Sequence, residues 1–312
     1  MLLDELDDLI GNNKTKSLYQ SSENKVILKK VPQTYKKPKR SLFSMIIHPF
    51  ESVGLDKYHL YLRDAQRLMA EESYVDAAGA FNKASVEKPK SLDAYFGVVE
   101  CLENLGGEEN LTLGLGYMKK ALHIDYKNVK IYDEIIYILD VLKQKVEATE
   151  YRHRRFSLRA FAKDKTNNSM LANNLGVMLL GIGLHKEAVK FFQKSLVRDA
   201  TFYIARLNLA KAWYAWALSV DKPKLKKLYL KNSDIELSRI YSPEDAQILL
   251  LKGKIELHSG NYEVAKGYLE EAYHESPAMR EIYATLQLVN EKMGNIKDAI
   301  DNHTIYENLG KR

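Results

Sequence analysis

"NNLGVMLLGIGLHKEAVKFFQKSL", residues 173–196, decides the fold. Leu175, Val177, Met178, Leu179 and Leu180 supply an apolar helical face. Gly181 and Gly183 then interrupt it, and Ala188, Phe191, Phe192, Ser195 and Leu196 resume it. That pattern predicts two helices joined by a tight turn. Small residues at Gly176, Ala188 and Ser195 let the two helices approach closely while Phe192 fills the space between them. A phosphate-binding loop is excluded by two features: no Lys-Ser/Thr pair follows the glycines, and no strand precedes them.

The hairpin recurs. Residues 253–277, "GKIELHSGNYEVAKGYLEEAYHESP", match it at a single offset of 77, pairing Gly176 with Gly253, Gly183 with Gly260, Ala188 with Ala265, Phe192 with Leu269 and Ser195 with Ala272. Another copy follows 34 residues on, with Gly294, Ala299, His303 and Tyr306. Upstream, Ala65, Ala77, Phe81, Ala84 and Pro89 stand 111 residues before their counterparts. Offsets of 77 and 111 each exceed a multiple of 34 by nine, so the unit is 34 residues with insertions.

A 34-residue helical hairpin with an aromatic, a Leu-Gly pair, then Ala, Phe, Ala and Pro at set positions resembles the tetratricopeptide repeat. The resemblance covers residues 57–310, with about seven units starting near Tyr58, Leu92, Val129, Ser169, Tyr203, Ala246 and Arg280. It implies an all-α, right-handed superhelical solenoid. Three units depart from the pattern. In the second, Met118 and Ala121 take the Phe and Ala positions three residues late. The third puts Arg152 and Arg155 there, which predicts a shifted or exposed helix. In the fifth, a lengthened second helix is expected to absorb most of its insertion. The polar ending "DNHTIYENLGKR" reads as a solvent-facing cap.

Composition fits an ordered helical protein: 46% hydrophobic residues and only 7 prolines in 312. The length exceeds a single globular core but suits a repeat array. One cysteine, Cys101, rules out an internal disulfide and suits a reducing, cytoplasmic setting. The acidic start "MLLDELDDLI" is unlike a secretory signal, and no apolar run is long enough to span a bilayer. Net charge is +6, of which residues 1–50 hold nine basic and five acidic residues. The repeat region is therefore nearly neutral, which argues against nucleic acid as a partner.

Catalytic and metal signatures are not evident. The eight histidines form no HExxH, and "LGLG" at 113–116 lacks the strand-turn-helix setting of a dinucleotide loop. The expectation is a non-enzyme without cofactor or metal. The resemblance implies instead a concave wall lined by the first helix of each hairpin, at its positions 2, 5, 6, 9, 12 and 13. In units two and three these include Asp93, Phe96, Glu100, Glu103, Asp133, Glu134, Tyr137 and Asp140. In units four to six they include Asn173, Asn174, Asn208, Lys211, Tyr214, Lys254 and His258. The wall is expected to run from acidic to mildly basic, either as the solvated side of amphipathic helices or as a groove for partner peptides. Family members that grip a C-terminal carboxylate use a Lys/Asn/Arg set. Asn208 and Lys211 echo part of it, but Gln247 and Leu251 stand where further cations are needed, so a complete clamp is not expected.

Residues 1–50 are expected to form a largely disordered arm. Leu2, Leu3, Leu6, Leu9 and Ile10 share one side of a segment too short to hold a helix alone, which suits docking on a partner. Residues 25–40 carry seven bases and no acid, among them Lys36, Lys37, Lys39 and Arg40. Such a linker suits contact with an anionic membrane or with the acidic part of its own groove. The function read from sequence is a cytoplasmic protein-binding scaffold within a multiprotein assembly. The alternatives are a membrane-peripheral adaptor, at the inner face of a membrane, or a chaperone for secreted or assembled subunits.

Overall fold

The computed structural model describes residues 56–164, 166, 168–241 and 245–310. The arm and its proposed docking residues lie outside these. All regular structure among the described residues is α-helical, in seven antiparallel pairs. They are α1 (Lys57–Ala70) with α2 (Tyr74–Glu87), α3 (Leu92–Leu105) with α4 (Glu108–Ile124), and α5 (Val129–Val141) with α6 (Lys145–Lys163). Next come α7 (Ser169–Gly181) with α8 (His185–Arg198), and α9 (Tyr203–Leu218) with α10 (Pro223–Ser238). The last two pairs are α11 (Ala246–Ser259) with α12 (Tyr262–Glu275), and α13 (Arg280–Met293) with α14 (Ile296–Leu309). Each first helix begins within one residue of the position expected from the repeat. The fold is an all-α helical-repeat solenoid.

Contacts divide the chain into two compact units, one ending at Ile124 and the other starting at Asp125, where the sequence reading ran one body from 51 to 312. In the first unit, Tyr58, Leu62 and Ala65 of α1, Ala77, Phe81 and Ala84 of α2, and Ala94, Val98, Cys101 and Leu102 of α3 form one core. Met118 and Ala121 of α4 are fully buried, as the three-residue shift requires.

In the second unit the seam of each hairpin turns on two residues sixteen apart. Gly176 of α7 faces Phe192 of α8, and a Cβ at Gly176 would lie 2.6 Å from the ring. Gly253 faces Leu269 in the same way, at 2.7 Å. Without a side chain at the glycine, the large residue opposite seats against backbone, and the helices close at short range. The turns agree with this reading: Gly183 and Gly260, matched by the 77-residue offset, both take left-handed backbone, with φ of 78° and 88°.

Hairpin three lacks that pair. Ile136 and Arg152 hold the two positions, and Ile136 is buried, so its side chain fills the slot. Arg152 turns to Asp140 instead, giving both carboxylate oxygens hydrogen bonds of 2.7 and 2.6 Å. Ala148, Tyr151 and Leu158 supply the buried face of α6. The helix is thus re-registered rather than displaced. In the last hairpin the pair is polar, with His303 Nδ1 3.2 Å from Gln287 Oε1.

Two other expectations need correction. In hairpin five, α9 and α10 are each 16 residues long, and the connection after Ser238 takes up the rest of the insertion. Its core is aromatic: Trp216 stacks on Tyr229 at 4.4 Å and on Trp213 at 5.4 Å between centroids. The closing helix, expected to be a polar cap, turns Ile296 and Ile300 outward, each 60% exposed. Its polar residues alternate with these in helical phase, which a composition count cannot register.

The seam argument predicts opposite signs for two alanine substitutions. Gly176→Ala, pressed against Phe192, should lower stability by about 1–3 kcal/mol as overpacking does. Gly267→Ala, on the exposed side of α12 with nothing within 4 Å of the new Cβ, should raise it by about 0.5–1 kcal/mol. Urea denaturation measures both, and effects of one sign would refute the seam as the element that sets helix spacing. Trp216→Ala should cost about 3–5 kcal/mol in the same assay, since it opens the centre of the aromatic stack.

Candidate functional site

Within the second unit the first helices of hairpins four to seven pack directly on one another: α7 on α9, α9 on α11, and α11 on α13. The second helices do not pack in this continuous way, so α7, α9, α11 and α13 form an inner wall. Side-chain bonds lay these helices side by side at matching levels. Tyr203 of α9 donates to Asp245, the N-cap of α11, at 3.1 Å. Asn208 Nδ2 of α9 donates to Asn173 Oδ1 of α7 at 3.0 Å. The Tyr214 and His258 rings lie 5.8 Å apart between centroids.

Helical geometry puts residues seven apart on one stripe, since two turns take about 7.2 residues. Along the wall those pairs are Met170 and Val177 on α7, Ile204 and Lys211 on α9, Gln247 and Lys254 on α11, and Glu281 and Leu288 on α13. Lysines tie neighbouring stripes: Lys211 Nζ donates to Gln247 Oε1 at 2.8 Å, and Lys254 Nζ to Glu281 Oε1 at 2.5 Å. The wall therefore has a fixed lateral order before any ligand arrives.

Its electrostatics arise from partial burial. Burial pulls the Lys211 ammonium below its usual pKa, with Lys254 adding to the effect and Asp245 and Glu281 opposing it. Burial also lowers His258, helped by Lys226 and Lys254, so its ring is neutral at neutral pH. The Tyr214 hydroxyl is pushed up to about 12 by burial and stays protonated. Three lysines and a histidine thus share a small region with Glu281 and Asp245 as counter-charges.

The sequence-predicted residues fall into separate groups. Asn173, Asn174, Asn208, Lys211, Tyr214, Lys254 and His258 stand together on the inner wall of the second unit. Asp93, Phe96, Glu100 and Glu103 stand on α3 of the first unit, with Asp93 and Glu100 exposed and Phe96 half-buried. Asp133, Glu134, Tyr137 and Asp140 stand on α5, but the acidic character expected there is largely neutralised. Asp140 is held by Arg152, and Asp133 by Arg155, with Arg159 4.0 Å away. Guanidinium groups pair readily with carboxylates in this geometry, so the arginines that broke the repeat pattern occupy these acids.

Sequence reasoning missed the apolar part of the wall. Met170, Val177, Ile204 and Leu288 are 58%, 47%, 49% and 49% exposed. They occupy positions 2 and 9, which the repeat register marks as inner-wall positions, but apolar residues in a helix read first as core. Among the described residues no cluster of His, Cys, Asp or Glu could hold a metal, and no helix is long and apolar enough to cross a membrane.

No family model and no curated protein matches the chain. Solved structures do. A thermophilic tetratricopeptide protein of Thermus thermophilus is 19% identical, with a TM-score of 0.45, over 66% of this chain and 93% of its own. A tetratricopeptide repeat protein of Parabacteroides merdae is 14% identical, with a TM-score of 0.40, over 81% and 93%. MamA of Desulfovibrio magneticus is 19% identical, with a TM-score of 0.39, over 59% and 95%. The seven described hairpins, with their 34-residue register and small-to-large seams, give this chain a tetratricopeptide-type repeat fold.

Proposed function

We propose that the protein is a non-enzymatic scaffold in cytoplasmic multiprotein assemblies, and that the inner wall of α7, α9, α11 and α13 holds extended segments of partner proteins. One observation carries this reading. Exposed aliphatic side chains at Met170, Val177, Ile204 and Leu288 share a wall with ordered asparagines and half-buried lysines. A solvated helical face would be expected to carry polar residues at those positions. Apolar surface between fixed hydrogen-bonding groups is what a bound peptide needs: area to cover, and donors and acceptors for its backbone.

The asparagines suit that task. Asn173 Oδ1 is already taken by Asn208, and Asn173 itself is buried, so it braces its neighbours. Asn174 is exposed and Asn208 half-buried, and their amides can pair with the N–H and C=O of an extended chain.

Selection of random phage-displayed peptides on the full chain tests the proposal. Selected peptides should bind Ile204→Glu and Asn208→Ala variants about tenfold or more weakly, equivalent to roughly 1.4 kcal/mol or more. Peptides whose affinity ignores both substitutions would place binding elsewhere and overturn the reading.

A further inference from the structure

Position 9 of the four inner helices reads Val177, Lys211, Lys254, Leu288 from α7 to α13. The row is apolar at both ends and cationic in the middle. Both aliphatic residues are about half exposed. Among the described residues, the Lys211 amine bonds only the neutral amide of Gln247, and Lys254 bonds Glu281, whose side chain is 63% exposed. Two neighbouring cations thus share one direct and loosely held carboxylate. That deficit of negative charge lies on the wall rather than at a solvated rim.

Packed helices stand about 8–10 Å apart. A polyproline II chain rises about 3.1 Å per residue with three residues per turn, so every third side chain returns to the same face after about 9.3 Å. The two spacings agree. A fully extended β-strand would not fit as well, because its residues three apart point to opposite faces.

From this row, and resting on the peptide-binding reading above, we infer that the groove selects partner segments in the polyproline II conformation. Such a segment carries acidic side chains three residues apart, for Lys211 and Lys254, and aliphatic side chains three residues beyond each, for Val177 and Leu288. The acids lie within the bound segment, so recognition does not depend on a free C-terminus. Electrostatic matching sets which sequence binds, and the apolar ends add covered area.

The probe is a decapeptide, capped at both ends, reading Leu-Pro-Pro-Glu-Pro-Pro-Glu-Pro-Pro-Leu, with binding to the full chain followed by fluorescence anisotropy. A version with glutamine for both glutamates, and one with the two glutamates adjacent, should each bind about tenfold or more weakly. Lys211→Gln and Lys254→Gln should give similar losses with unchanged thermal melts. A double Lys211→Glu, Lys254→Glu variant should prefer the peptide with lysine for glutamate. Equal binding of the glutamine or adjacent-glutamate peptide overturns the inference. If phage-selected peptides still need Ile204 in that case, the groove reading survives alone. If no peptide needs Ile204, both fall.

Discussion

A missing side chain opposite a large one sets the geometry of the repeats. Where glycine at the eighth position of a first helix meets Phe192 or Leu269 sixteen residues later, the partner seats directly on backbone, and the two helices approach as closely as close packing allows. Because the contact recurs with the repeat, each hairpin presents its first helix to the next in the same way. The inner wall is a consequence of that repetition, and its stripes of residues seven apart inherit their order from it.

The seam also explains where the pattern bends. With Ile136 in the glycine position, hairpin three has no slot for an aromatic, and Arg152 turns outward to Asp140. In hairpin five the Trp213, Trp216 and Tyr229 rings provide the bulk instead, between helices two to three residues longer than their neighbours. In hairpin seven the pair is His303 and Gln287, a polar contact in the place of an apolar one. One architecture thus tolerates several seam chemistries.

Much of the helical framework was legible in the sequence because helix starts are local and periodic: Leu92, Val129, Ser169, Tyr203, Ala246 and Arg280 all begin helices where the 34-residue register places them. The inner-wall positions came from the same register. Two things were not legible. Pairing of Asp133 and Asp140 with α6 arginines depends on which way long side chains turn after Ile136 closes the slot, and periodicity carries no such information. Exposure of Val177, Ile204 and Leu288 depends on the wall staying open, whereas an apolar residue on an amphipathic helix normally marks the buried side. The division at Ile124 was likewise invisible, since hairpins two and three keep the register across it.

The charged closure of hairpin three sets it apart in one further respect. Its helices are joined in part by exposed Arg-Asp pairs, whereas hairpins four and six are joined by apolar seams. Added salt screens the first kind of attachment and, with strongly hydrated anions such as sulfate, strengthens the second. Ionic conditions can therefore loosen one hairpin while firming its neighbours, which makes hairpin three the point where the second unit is most responsive to its solvent.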